Sequence, residues 1–107
     1  KLSELTLDEV MFASAISNAL ENAYKSNLQL PESKRYIRLS LKNVDDKLIF
    51  SVKNPFDKAP VFVDGMPVTS KKGHGYGTQS ISYITEKLNG NCMFSVTDKE
   101  FVLRIII

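Results

Sequence analysis

Cysteine occurs once in these 107 residues, as Cys92, and histidine once, as His74. One cysteine excludes a disulfide within the chain and a cysteine-built zinc site, and agrees with a reducing compartment. Cys92 lies in an apolar run, which points to a buried thiol. One histidine restricts any Ser-His-Asp or Cys-His arrangement to His74, which stands among glycines with no sign of an activated nucleophile beside it. The acidic residues gather at turns and helix ends, which argues against a hydrolase built on two buried carboxylates. No apolar run is long enough to cross a bilayer as a helix, and the opening KLSELTLDEV lacks signal-peptide character. The net charge of +2 comes with lysines spread along the chain, so no charge block calls for a nucleic-acid surface; polyanion binding stays open.

What is present reads as one folded unit. A hydrophobic fraction of 43% with 24% charged residues supports a globular core, and the length allows one domain, 1–107, and not two. Both ends fall in mid-pattern, so the expectation is a segment of a longer protein that extends at least towards the N-terminus.

The stretch LTLDEVMFASAISNALENAYKSNLQLP is helical in period, opened by Thr6 with Glu9 three residues on, the spacing of a capping box, and closed before Pro31. Phe12, Ile16, Ala19, Leu20 and Ala23 form its expected core stripe, with Asn18, Asn22 and Lys25 on roughly the opposite side. RYIRLSLKNVDDKLIFSVKN alternates on both sides of NVDD and predicts a β-hairpin with an acidic turn. Residues 55–73 hold three prolines and two glycines without a sustained period, which predicts a long functional loop; the rival is a loop pinned by Val61, Phe62, Val63 and Met66. A second helix is expected over about 78–89, with Ile81, Ile84 and Leu88 inward and Gly90 as its stop, then a second hairpin around TDKE. Four strands and two amphipathic helices predict an α+β two-layer sandwich, a largely antiparallel four-stranded sheet with both helices on one face.

Two features carry chemistry. In KKGHGYGTQS, the glycines let another molecule approach the backbone just ahead of a helix N-terminus, a combination that favours an anion such as phosphate; a plain flexible turn is the alternative. On the first helix, two asparagines one turn apart, followed by a lysine, offer neutral oxygen ligands for Mg²⁺ and a charge for phosphate; a solvated helix face is the alternative. Together they point to binding of a magnesium nucleotide.

The order of these motifs is also familiar. SNALENAYKS resembles the N box of the GHKL ATPase superfamily and GHGYGT its second glycine box. The pattern is most similar to the catalytic, ATP-binding domain of bacterial sensor histidine kinases, in the branch of peptide-pheromone quorum-sensing kinases. There a segment like SVKNPF replaces DxGxG, and one like TSKKGHGYG precedes the second helix. The resemblance spans nearly the whole chain.

It implies a Bergerat-type ATP-binding fold that binds Mg²⁺ and ATP and donates the γ-phosphoryl group to a histidine on a separate dimerisation and phosphotransfer domain. It further implies a response regulator downstream, and a cytoplasmic placement within a membrane-anchored homodimeric sensor of the bacterial inner membrane. By the same resemblance Asn22 holds Mg²⁺, and Asn18 stands where gyrase-type ATPases carry a catalytic glutamate. Lys25 contacts phosphate, and Asn54 accepts from the adenine amino group. Lys72, His74, Gly75, Tyr76, Gly77 and Thr78 border the nucleotide, with His74 at the hinge of a lid over 57–73 and not a phosphoacceptor. Because KNPFDK lacks the glycines of the usual first glycine box, a degenerate pseudokinase that binds ATP without transfer is a second reading, and a non-catalytic α/β interaction domain a third.

Overall fold

The computed structural model describes residues 6–63, 65–68 and 76–107. Its first element, α1 (Leu7–Asn27), begins where the sequence places it: Thr6 accepts from the Glu9 backbone, and the Glu9 carboxylate accepts from the Thr6 N–H. Those backbone and hydroxyl bonds hold the Glu9 carboxyl below the usual carboxylate range. After a short 3₁₀ turn (Glu32–Lys34) come β1 (Arg38–Val44) and β2 (Lys47–Pro55), joined by Asp45 and Asp46. Both aspartates have positive φ, 49° and 65°, the backbone of a two-residue hairpin turn whose twist matches its strands.

The sheet is closed by a second hairpin, β5 (Asn91–Val96) and β6 (Glu100–Ile106), giving the antiparallel order β1-β2-β6-β5. In register, Phe50 faces Ile105, Val52 faces Leu103 and Asn54 faces Phe101. These residues and Phe94 turn to one face, where α1 and α2 (Tyr76–Lys87) cover them. The expected two-layer sandwich is therefore the observed one.

Three details differ from expectation. Residues 55–73 are not simply loop, since β3 (Val61–Val63) and β4 (Met66–Val68) make a small separate hairpin. Phe62 packs on Phe101 with ring centroids 6.4 Å apart, and Met66 joins the core edge, whereas Val61 and Val63 remain exposed. The anchored alternative thus holds for Phe62 and Met66 and fails for the two valines. Second, α2 starts at Tyr76, two residues before the expected start, so Gly77 and Thr78 lie in its first turn. Third, the left-handed residue ending α2 is Asn89 (φ 60°); Gly90 is needed because a Cβ there would stand 2.3 Å from the Ile106 carbonyl oxygen.

The core line of α1 is also shifted. Ala15, Ala19 and Ala23 are fully buried at four-residue spacing, while Phe12, Ile16 and Leu20 are only half-buried. Small side chains bring the helix backbone close to its neighbours. Phe12 reaches past them to meet Phe50 edge-on, at 6.4 Å between centroids. The line ends in Asn27, whose Nδ2 donates to the Ala23 carbonyl (2.9 Å) and the Tyr36 carbonyl (3.0 Å), while its Oδ1 accepts from the Tyr36 N–H (3.0 Å).

Asn27→Ala would strand both Tyr36 backbone groups at a site where the asparagine itself is 5% exposed. It should lower the unfolding free energy by about 3 kcal/mol in a urea titration. A loss below about 0.5 kcal/mol would show that water replaces the clamp.

Candidate nucleotide site

The asparagines of α1 do not stand opposite the core. At about 100° per residue, Asn22 falls only about 20° from Ala15 and Asn18 about 60° from it, so both lie on the flank of the buried line. Both are half-buried. With Ser26 they form a polar row at four-residue spacing, running about 12 Å along the helix.

Each member of the row meets something different. Asn18 Nδ2 donates to Ser80 Oγ on α2 at 3.0 Å, tying the two helices together. Ser26 Oγ donates to the Pro55 carbonyl at 3.4 Å, and Asn54 Nδ2 donates to the same oxygen at 2.8 Å. That carbonyl joins the last turn of α1 to the end of β2. Between the two ties, the Asn22 amide has no hydrogen-bond partner among the described residues. A half-buried amide with its oxygen uncommitted suits a hard cation.

Asn54 is 1% exposed, so a nucleotide base reaches it only by displacing what covers it. Lys25 is turned to solvent and pairs with Glu21 at 2.9 Å, both side chains more than half exposed. Such a surface pair is worth about 1 kcal/mol or less and yields readily to a stronger anion. Thr78 is buried in the first turn of α2, and Tyr76 and Gly77 supply backbone to that turn, whose N–H groups point away from the helix body. Lys72, His74 and Gly75 lie outside the described residues. Ser26 and Ser80 are not singled out by the sequence; their bonds to the Pro55 carbonyl and to Asn18 become visible only in the fold.

Residues 7–107 match the profile of the GHKL domain. The chain belongs to the GHKL family. Among solved structures this GHKL domain is similar to the histidine kinase AdeS of Acinetobacter baumannii, with a TM-score of 0.62 and 15% identity over 92% of this chain. It spans 46% of that chain, about half its length. At that identity the likeness concerns the fold. No curated protein matches. Among the described residues no helix is long and apolar enough to cross a membrane, and no three His, Cys, Asp or Glu side chains gather as a metal site.

The Asn18–Ser80 bond has a direct test. Asn18→Ala and Ser80→Ala, singly and combined, should show a coupling of about 1 kcal/mol in a double-mutant cycle read by urea unfolding. Additive losses would mean that the bond contributes nothing to holding α1 against α2.

Proposed function

We propose that this GHKL domain binds Mg-ATP and donates the γ-phosphoryl group to a histidine on a separate dimerisation domain, as the ATP-binding half of a sensor histidine kinase. The observation that carries the reading is the polar row of α1: an uncommitted Asn22 between a tie to α2 at Asn18 and a tie to the Asn54–Pro55 end of β2 at Ser26. Such a row can seat an elongated ligand with its base end at β2 and its phosphate end at the start of α2. The base end offers Asn54, whose side-chain oxygen would accept an amino N–H. The phosphate end offers the N-terminal turn of α2, Lys25 once it leaves Glu21, and the adjoining glycine-rich segment with Lys72, His74, Gly75, Tyr76, Gly77 and Thr78.

Asn22 Oδ1 fits a Mg²⁺ ion that takes its remaining ligands from phosphate and water, and such an ion supplies charge neutralisation on the transferring group. Asn18 is an amide already donating to Ser80, so it orients without abstracting a proton from water. That favours transfer to a positioned partner over hydrolysis. His74 then borders the phosphates and is not the phosphoacceptor. In this reading the domain is the cytoplasmic part of a membrane-anchored homodimer, of the quorum-sensing type, that signals to a response regulator.

A pseudokinase that holds ATP without transfer is the second reading. It is favoured by the burial of Asn54 and by KNPFDK in place of the glycines of the first glycine box, both of which restrict entry of a base.

Two measurements bear on these readings. Asn22→Ala should weaken Mg-ATP binding at least tenfold in calorimetry and leave metal-free ATP binding within about twofold, a difference of about 1 kcal/mol or more in the metal-dependent part. Equal losses in the two titrations would remove the metal role from Asn22. With radiolabelled ATP, the chain alone should carry no acid-labile phosphate, while a separately supplied dimerisation domain should become labelled in proportion to kinase concentration. Nucleotide binding without labelling of that domain selects the pseudokinase reading.

A further inference from the structure

Part of the positive charge that is spread along the sequence gathers on one surface. Strand residues opposite Lys53, Ser51 and Ile49 share the sheet face turned away from the helices, and that rule places Arg38, Lys42, Lys47, Lys53 and Arg104 together on it. The bond from Arg104 Nε to Ser51 Oγ, 3.3 Å, confirms the shared face. Arg38 and Lys53 stand directly across from each other, a like-charge pairing that weakens a sheet.

One acid among these strand positions faces the same way, Glu100, and it is engaged: it accepts from the Tyr36 hydroxyl at 2.6 Å and pairs with Arg38 at 3.6 Å. The bond to Glu100 holds the Tyr36 hydroxyl above its ordinary pKa, so it stays a donor. Lys42, Lys47, Lys53 and Arg104 have no carboxylate partner among the described residues. Five cations and one acid on this face, against a chain net of +2, leave a net −2 on the rest of the chain.

We propose that this outer sheet face docks on an anionic phospholipid surface. The cations are spaced along neighbouring strands and do not converge on a pocket. Three of the five are lysines, which act as point charges and suit a diffuse negative plane better than bidentate recognition of single carboxylates. Between them lie Ile49, Val102, Ile106 and the exposed Met93, an apolar floor that the lysine stems can lie across while their ammonium groups reach headgroups. A single-stranded nucleic acid would call for several stacking aromatics; the strand positions of this face carry none, and the ring at its edge, Tyr36, already stacks with the Arg38 guanidinium at 5.1 Å. The nucleotide row is on the helix side, so occupancy of one surface leaves the other open.

The test is co-sedimentation of the chain with vesicles of phosphatidylcholine alone and of phosphatidylcholine mixed with phosphatidylglycerol. Binding should require the anionic lipid and fall steeply with added salt. The variant Lys42→Gln/Lys47→Gln/Lys53→Gln should lower the partition coefficient about a hundredfold, from roughly fivefold per cation. Lys87→Gln, which removes a charge on the helix side of the sheet, should change it less than about twofold. Circular dichroism should report the same fold for all variants. Equal loss per charge removed in the two variants would show a net-charge effect and overturn the assignment. No anionic-lipid binding, or binding only to soluble polyglutamate or to RNA, would overturn it as well, the last two results naming an acidic protein or a nucleic acid as the partner class.

Discussion

The depth at which α1 lies against the rest of the domain is set by one line of small side chains. Ala15, Ala19 and Ala23 are all but closed to solvent, so the helix backbone sits close to its neighbours, and a larger residue at any of the three would have to lift it. Asn27 ends the line with three hydrogen bonds, two of them to the chain entering β1, so the end of the helix cannot slide relative to the sheet. A buried asparagine satisfied in this way specifies position as well as adding stability. Asn18, Asn22 and Ser26 lie one step around the helix from that line. Their approach to α2 and to β2 is a consequence of how deep the alanines let α1 sink.

Most of the fold could be read from local pattern. The Thr6–Glu9 capping box, the alternation around the Asp45–Asp46 turn and the inward positions of Ile81 and Ile84 are short-range signals, and the structure has each of them. The misses share a physical cause. Three-residue strands such as Val61–Val63 are too short to show alternation, and Phe62 is held by a ring contact to Phe101, far along the chain. Which flank of an amphipathic helix counts as buried depends on what packs against it, so the stripe expected from the period took in Phe12 and Leu20 and left out Ala15. Asn89 holds the left-handed position expected of Gly90, and Gly90 is required instead by its close approach to Ile106, a contact distant in sequence. In the candidate site, the residue types on α1 were legible in advance. The ties through Ser80 and Pro55 were not, since no local period encodes contacts across the chain.

The end of β2 shows how a glycine-poor sequence can build the floor of such a site. Glycines would let the backbone turn freely beneath a ligand; here Pro55 fixes its own φ and presents one carbonyl that receives both Asn54 and Ser26. Hydrogen bonds to that oxygen replace conformational freedom with a set position. The gain is a rigid junction between strand and helix, and the cost is access, because Asn54 is sealed at 1% exposure. Under the proposed function, a base would reach Asn54 only after what covers it moves.

The same strand serves two surfaces. In β2, Phe50, Val52 and Asn54 face the helices while Ile49, Ser51 and Lys53 face outward, and β6 repeats the division with Phe101, Leu103 and Ile105 against Val102 and Arg104. Because side chains alternate with a period of two, the inner face can keep its core and its polar floor while the outer face changes charge freely. Register is the quantity the two faces share, since a slip of one residue would carry Lys53 into the core and Val52 out of it. The tight Asp45–Asp46 turn and the pairing of Asn54 with Phe101 hold that register at opposite ends of β2. Substitutions confined to outward positions therefore alter the charge of one face without disturbing the row of α1 on the other, whereas a change in either turn length would disturb both at once.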